Sequence, residues 1–364
     1  MRSLNRFFFA TLFVAVAVLP AIAQKNWLLQ TSLKYDALYF LSAVSHDEFY
    51  NRNYFRERAT WQERLGPTTM CTIDTISDSI AGVRLTWTFT YIPANSLNEL
   101  IDWLSDTTKF RNQVRKGMSA CNDMRVEATN QDIDRIIRMR SQFITVFTKM
   151  RKLNWEDDWR LLQRKMLFDI NMVDSIFQTH TPVQITSIAA AFLGLPQQPS
   201  DSSNVVYYLY YCCPNGFKLP YNMFGTWHIG YPQWFFSVHL HEYLHLYSIY
   251  QSEQQTIHES LLRQSPSFAD DRKILVEKCN ESDDEFYVAA ADAYLSVKLG
   301  IRTEEEAEQY LTTQNGGSMR FSRILYNNLK ESYRPGIGYR DFLTTNVFPK
   351  VIDGKLEPMM LQLK

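Results

Sequence analysis

The residues with the clearest chemical pattern are His241, Glu242 and His245, which form an HExxH sequence. In a helix, positions i and i+4 lie on the same face, so the two imidazoles can bind one cation. Two neutral imidazoles and a carboxylate are a common ligand set for zinc, with a fourth position left for water. Zinc lowers the pKa of such a water towards 7, and Glu242 can accept its proton as general base. The pattern therefore predicts a hydrolytic site with Zn2+ as its cofactor.

The sequence around this motif is compatible with a buried helix. Residues 234–250 (WFFSVHLHEYLHLYSIY) contain no Pro or Gly and are mostly apolar. Four of the seven histidines lie close together in this part of the chain: His228, His239, His241 and His245. The competing interpretation is a core helix whose histidines only satisfy hydrogen bonds.

A third metal ligand must come from another part of the chain. The extended motif HExxHxxGxxH is excluded, because Ser248 and Gln251 occupy its Gly and His positions. The best candidate is Glu285 in residues 281–300 (ESDDEFYVAAADAYLSVKLG), where a helix would align an acid with small residues that permit close packing. The other acids that could take this role are Glu259, Glu277, Glu281 and Asp292.

Glu285 and Asp292 each have an alternative interpretation. Ser282 precedes Glu285 by three residues, so the two could form a capping box in which Glu285 bonds the Ser282 backbone. Asp292, two turns further along the same helix, could orient a ligating imidazole, or it could be a surface aspartate. The sequence leaves both questions open.

A second electrophile is expected to stabilise the oxyanion beside the metal. The candidates, each of a type that more often has a structural role, are His228, His258, Tyr294 and Tyr339. His239 lies three residues before Glu242 and could face the same side, although a packed or solvated histidine is the more common case.

Hydrophobic periodicity predicts the elements that position these residues. Helices are predicted over Trp27–Phe40, Tyr54–Leu65, Ser96–Trp103, 130–152, 155–178 and 233–250, with three or four more over 254–350. Alternating β-branched and aromatic residues predict strands at 81–93 and 205–213, the second of them after a loop at 195–204. The expected fold is mainly α with a small β-sheet (α+β).

Composition and charge limit the classes of function. The chain carries 38 Lys+Arg against 39 Asp+Glu, a formal net charge of −1, so it has no basic excess for gripping nucleic acid. Five cysteines without a C-x-x-C pair argue against a disulfide scaffold and against a zinc knuckle. The adjacent Cys212 and Cys213 are interpreted as packing residues. The oligomeric state cannot be predicted from these features.

The N-terminus has the layout of a secretory signal peptide. Arg2 and Arg6 precede an uncharged apolar run, and an A-x-A site at 21–23 predicts cleavage before Gln24. An uncleaved membrane anchor is the alternative, although the apolar run is short for a membrane span. The mature protein is therefore expected to be secreted or periplasmic, without a membrane span.

The segments HLHEYLHLY (239–247) and EFYVAAADAYL (285–295) resemble the gluzincin clan of zinc metallopeptidases. More narrowly, the chain resembles a family of secreted bacterial proteins of unknown function, with looser similarity in the helices at 35–75 and 317–350. This resemblance implies that His241, His245 and Glu285 are the zinc ligands and that Glu242 is the catalytic base.

The resemblance also predicts how the chain is organised. It implies a zincin-like catalytic core in residues 196–364, preceded by a mostly helical region (24–195) and the signal peptide (1–23), unless the two larger regions form one compact unit. In this clan an edge strand beside the metal helix usually holds the substrate main chain. Strand 205–213 is in the right place in chain order to be that edge strand, to which a peptide could add. An interior strand is the alternative.

Two functions remain in competition. The first is a secreted zinc-dependent metallopeptidase that hydrolyses peptide bonds of a peptide or protein substrate through a zinc-activated water. The second is a catalytically silent zincin-fold protein that binds a peptide or a glycan at the cell surface, with Tyr and Trp side chains stacking on sugars. The intact Glu242 argues against the second, because a pure binding protein needs no base there.

Overall fold

The computed structural model describes residues 27–121, 125–176, 182–196, 205–211, 216–220, 223–226, 233–247, 254–279 and 281–363. The expected signal peptide and its cleavage site before Gln24 lie outside these residues, as do His228, Cys212 and Cys213. None of the described helices is long and apolar enough to cross a membrane.

The described part of the chain is mainly helical, with one small sheet. The strands are β1 (Trp27–Gln30), β2 (Val205–Leu209), β3 (Phe217–Leu219) and β4 (Met223–Thr226). They lie in the order β1-β2-β4-β3. β2 pairs in parallel with both β1 and β4, whereas β3 pairs antiparallel with β4. The expectation of a mainly α fold with a small sheet is confirmed.

The sheet order corrects the prediction that strand 205–213 is an edge strand. β2 has a hydrogen-bonded neighbour on each side, so it is an interior strand, and its described strand residues end at Leu209. The neighbours β1 and β4 are short segments without a strong strand pattern, so local patterns do not predict them. Within the described residues, β3 has a neighbour on one side only and is an edge strand.

Nineteen α-helices are assigned in the described residues. Before the second strand they are α1 (Leu33–Val44), α2 (Glu48–Leu65), α3 (Pro67–Ser79), α4 (Gly82–Thr90), α5 (Leu97–Ser105), α6 (Thr107–Cys121), α7 (Val126–Arg138), α8 (Arg140–Lys152), α9 (Trp155–Ile176) and α10 (Pro182–Leu193). After the sheet they are α11 (Gln233–Leu244), α12 (Gln254–Gln264), α13 (Pro266–Lys273), α14 (Glu285–Lys298), α15 (Glu304–Thr313), α16 (Arg320–Ser332), α17 (Tyr339–Phe342), α18 (Phe348–Val351) and α19 (Leu356–Gln362). Short π-helical segments lie at Ile274–Lys278 and Leu343–Val347, and a 3-10 segment lies at Gln314–Gly317.

The helix predicted over Trp27–Phe40 is wrong in its first part. Residues Trp27–Gln30 form β1, because they pair with β2 from much later in the chain. The helix begins only at Leu33, where the Ser32 side chain accepts a hydrogen bond from the Tyr35 amide as N-cap. A tertiary pairing therefore overrides the local periodicity.

The strand predicted at 81–93 is also wrong, because this segment contains helix α4. Its apolar residues Leu85 and Phe89 are four positions apart and both are buried, which suits one face of a helix. The hydroxyls of Thr86, Thr88 and Thr90 donate to carbonyls four residues earlier, so these β-branched residues satisfy their polar groups within the helix.

Other predicted helices are confirmed with changed boundaries. The helix predicted over 130–152 is two helices, α7 and α8, because the backbone leaves helical geometry at Met139. The helix predicted from Ser96 is α5, and the Ser96 side chain accepts from the Glu99 amide as its N-cap. The prediction over 155–178 matches α9.

Buried side chains form two hydrophobic clusters. One contains mainly residues of α1–α9, together with Tyr210 and Phe217 from the sheet region. The other contains residues of the later helices and of α10, together with Leu29 of β1. The sheet thus contributes residues to both clusters. The division expected at residue 195 stays a prediction.

Candidate metal centre

Helix α11 brings both histidines of the HExxH sequence to the edge of the core. Residues 235–240 are all buried, whereas His241 and His245 are partly accessible. The helix ends at Leu244, earlier than the predicted residue 250, and His245 lies in the following turn. Backbone hydrogen bonds from Leu246 to Tyr243 and from Tyr247 to Leu244 close that turn. His245 therefore still lies beside His241, with 5.1 Å between the ring centroids.

The two imidazoles converge on one oxygen of Glu285. The Nε2 atoms of His241 and His245 each lie 3.4 Å from Glu285 Oε2. Ligand atoms about 2.1 Å from a tetrahedral ion are separated from each other by about 3.4 Å. The two nitrogen-to-oxygen distances therefore equal the edge of a tetrahedral zinc site.

Glu285 reaches this point as the first residue of α14. Its Oε2 is buried and has no hydrogen-bond partner among the described residues, although a buried carboxylate oxygen normally has one. The capping-box alternative is not what the described residues show, because the N-cap of α14 is Asp284 and makes no side-chain cap bond. A bound cation would satisfy the orphaned oxygen.

Glu242 lies beside the same imidazoles. One carboxylate oxygen of Glu242 and one ring nitrogen each of His241 and His245 lie within 4.8 Å of one another, so this group could hold a metal ion. The backbone N–H of Lys218 in β3 donates to Glu242 Oε2 at 3.2 Å. The edge strand of the sheet therefore runs directly past this carboxylate.

The second ring nitrogen of each histidine faces another carboxylate. His241 Nδ1 lies 3.4 Å from Asp292 Oδ2, and His245 Nδ1 lies 3.3 Å from Asp284 Oδ2. Carboxylates in this position fix the orientation of ligating imidazoles and leave Nε2 for a metal. Of the two alternatives for Asp292, the surface position is wrong, since its side chain is 1% exposed.

Arg302 holds Asp292 in place. Its Nη1 lies 3.0 Å from Asp292 Oδ2, and it also donates to the hydroxyls of Ser296 and Ser237. The guanidinium stacks on the ring of Tyr310, 4.3 Å from the centroid. Burial alone would raise the pKa of Asp292, but Arg302 and His241 lower it to about 2. Asp292 is therefore a buried, charged carboxylate next to a candidate metal ligand, His241.

The electrostatic environment of the two imidazoles favours positive charge. Burial lowers the pKa of His241, but the Glu285 and Asp292 carboxylates outweigh burial and raise it well above its ordinary value. The pKa of His245 is also raised, since Asp284 and Glu285 outweigh burial and the neighbouring His241. Without a metal, the two imidazoles bind protons, and their positive charge balances the negative charge of the nearby carboxylates.

The other candidate residues have structural contacts. His239 is buried, with its ring nitrogens 2.8 Å from the Thr186 hydroxyl and 2.7 Å from the Tyr207 hydroxyl, and burial and Lys218 lower its pKa to about 3. His258 Nδ1 lies 3.0 Å from the Tyr287 hydroxyl. It is a core histidine rather than an accessible electrophile.

The tyrosine candidates and the alternative acids do not join the group either. The Tyr339 hydroxyl donates to the Tyr287 carbonyl, and Tyr294 packs on Phe192. Glu259 and Glu277 are exposed. Glu281 is solvent-accessible, yet partial burial and the Glu285 charge raise its pKa to about 7, so it lies at the rim of the site.

Sequence reasoning missed Asp284, Arg302 and Tyr310. The only signal for Asp284 is its position next to Glu285, and such acids are common near helix N-termini. Tyr310 Oη lies 3.4 Å from His241 Nδ1, a contact that depends on how α15 packs against α14. No pattern in the sequence identifies Arg302 as the partner of Asp292.

The metal-binding capacity of this centre rests on the geometry of the chain's own residues. His241, Glu242 and His245 could hold a metal ion. Glu285 supplies a buried carboxylate oxygen that lies 3.4 Å from the Nε2 atom of each imidazole. No family model matches the chain, and no curated protein or solved structure matches it either.

Proposed function

We propose that this chain is a zinc-dependent metallopeptidase of the gluzincin type, with a zincin-like core. The observation that carries the proposal is the convergence of two imidazole Nε2 atoms on Glu285 Oε2, each at 3.4 Å. These two distances, the buried carboxylate oxygen without a hydrogen-bond partner and the carboxylates behind each imidazole together suit Zn2+.

His241, His245 and Glu285 would hold the ion, which leaves one tetrahedral position for water or substrate. When bound, zinc supplies Lewis acidity and brings the pKa of a coordinated water close to 7. Two neutral imidazoles and one carboxylate leave a net positive charge on the site, which suits a developing oxyanion.

Glu242 would move the proton. Its carboxylate lies beside both imidazoles, within reach of the open coordination position, and the Lys218 amide holds one of its oxygens. Glu242 can accept the proton of the attacking water and deliver it to the leaving amine of the peptide. A protein that only binds its ligand has no use for a base at this position.

The edge strand supports a peptide as substrate. β3 has a strand neighbour on one side only within the described residues, and its Lys218 amide points to Glu242. An extended peptide adding to this edge would place its main chain beside the proposed base. We assign this role to β3 in place of strand 205–213.

The N-terminal sequence supports a secreted or periplasmic location.

The test is zinc content and hydrolysis measured on the same preparations. Wild-type protein purified without added metal should contain one zinc per chain and should cleave a denatured protein. Glu242→Gln should keep the zinc but lose at least about 100-fold in rate, since the base is absent. The control is Glu259→Gln, which changes an exposed acid on α12 and should behave as wild type.

Two results would contradict the proposal. Hydrolysis that persists in Glu242→Gln would show that this residue is not the base. Wild-type protein without stoichiometric zinc and without cleavage would favour the silent binding protein for a peptide or glycan.

A further inference from the structure

A small aromatic cavity lies between α1, α2 and α9, in the N-terminal helical part of the chain. Its volume is about 70 Å³, and its walls include the side chains of Trp61, Trp155, Trp159 and Phe40. The rings are packed against one another, with Phe40 5.2 Å from Trp61 and 5.5 Å from Trp155 between centroids. None of the metal-centre residues lines it.

The charged residues around this cavity are all acidic. Asp36, Glu57 and Asp158 line it, and no Lys or Arg is among the described lining residues. Asp158 is paired with Arg64 at 2.7 Å, which neutralises it. Asp36 and Glu57 have no cationic partner among the described lining residues.

Both remaining carboxylates are held by neutral donors. The Trp159 indole and the Tyr211 amide each donate to Asp36 at 2.7 Å, and the Tyr211 hydroxyl donates to Glu57 at 2.9 Å. Asp36 is 1% exposed. Burial raises its pKa to about 7, although both hydrogen bonds oppose this shift. Asp36 is thus partly protonated near pH 7, and a cation bound beside it would favour its charged form.

We propose that this cavity binds an alkylammonium head group. Tryptophan faces attract cations, most strongly where water is excluded, and Glu57 adds direct charge pairing. Trp61 already stacks on the Arg64 guanidinium, 3.8 Å from its centroid, so this ring takes part in one cation contact outside the cavity. The ligand would be the end of a lysine-like chain or a methylated amine.

The size of the cavity supports this ligand class. An engineered cavity of about 150 Å³ holds a benzene ring. A volume of about 70 Å³ is less than half of that, so it limits the ligand to a small group such as an ammonium nitrogen and its attached carbons. The remainder of the ligand would extend towards solvent.

The experiment is a titration of the full-length protein with n-butylammonium and with tetramethylammonium, followed by tryptophan fluorescence and by calorimetry. The neutral control ligand is n-butanol. Glu57→Gln should raise the Kd of the bound cation about tenfold, because a charged partner is lost. Glu63→Gln, an exposed acid on the same helix with the same charge change, should leave the Kd unchanged.

The pattern of binding decides the outcome. Saturable binding of either cation with this dependence on Glu57 supports the proposal, and the tighter of the two shows whether the head group is primary or quaternary. Equal binding of n-butanol, equal effects of the two variants, or no saturable binding at millimolar concentrations would overturn it. Asp36 would then serve only to tie α1 to α9.

Discussion

Arg302 and His241 share one oxygen of Asp292, which lies 3.0 Å from the guanidinium and 3.4 Å from His241 Nδ1. The guanidinium thus compensates a buried charge that in turn orients the proposed metal ligand His241. This link extends the metal centre to a residue in the connection between α14 and α15, outside the helices that carry the ligands.

Replacing Arg302 should weaken metal binding without removing a ligand. We expect Arg302→Gln to lower zinc affinity by roughly 10–100-fold, as for other residues behind metal ligands. Competition with a chromogenic chelator measures this. The control is Arg320→Gln, which breaks a comparable buried pair with Asp271 and should lower stability but not zinc affinity. Equal zinc affinity in both variants would contradict the role of Arg302.

Replacing Glu285 should remove the metal. Glu285→Ala deletes the oxygen that faces both imidazoles, so the purified variant should lose stoichiometric zinc, measured by elemental analysis. Glu281→Ala is the matched control, since it removes an acid at the rim and should leave zinc bound. If Glu281→Ala loses zinc and Glu285→Ala keeps it, the ligand is Glu281.

Replacing Gly216 should impair substrate binding and leave metal binding unchanged. A Cβ at Gly216 would lie 2.4 Å from the Val238 methyls, so Gly216→Ala should push β3 away from α11 and from Glu242. Peptidase activity should fall by about 10–100-fold with zinc retained, because the edge is misplaced. The double variant Gly216→Ala/Val238→Ala removes both methyls, leaving only the Val238 Cβ at 2.9 Å, and should recover part of the activity. No recovery would argue against β3 as the substrate edge.

Asp36 should give a measurable pH dependence of stability. Its pKa is about 7 in the folded state and about 3.9 in an unfolded chain. Between these values the folded state keeps a proton that the unfolded chain releases. Stability from Asp36 is therefore largest below about pH 4, decreases as the pH rises, and is constant above about pH 7.

The measurement is urea unfolding of wild type and of Asp36→Asn from pH 4 to pH 8. The free energy of unfolding of wild type minus that of the variant should decrease with rising pH by at most ~4 kcal/mol. Glu57 and Asp158 face the same cavity in both proteins, so their titration largely cancels in the difference. Asp102→Asn, an exposed substitution on α5, should show no such trend. A difference that grows with pH would contradict the raised pKa.

Local patterns identify the residues of the candidate metal centre more readily than its surroundings. His241, Glu242 and His245 are close in sequence, so helical geometry alone relates them. Glu285 could be selected because an acid followed by small residues suits a closely packed helix. Asp284 and Arg302 acquire their roles only when α11, α14 and α15 pack together, and no local pattern encodes that packing.

The errors in the fold have the same origin. Trp27–Gln30 has helical periodicity but pairs with β2, and α4 has an alternating pattern but buries Leu85 and Phe89 on one face. The resemblance implies an edge position for β2, whereas β1 and β4, short segments with weak strand patterns, pair with it on both sides. In each case, contacts between distant segments outweigh local preference.

The parallel pairing of Trp27 with Val205 sets an order of assembly during synthesis. The first strand must wait until most of the intervening helices have emerged, since its partner is far along the chain. Helices α1–α8 can collapse on local contacts before that moment, whereas Glu285 is synthesised later still. Capture of a metal ion would therefore be among the last events of maturation, after the helical scaffold has formed.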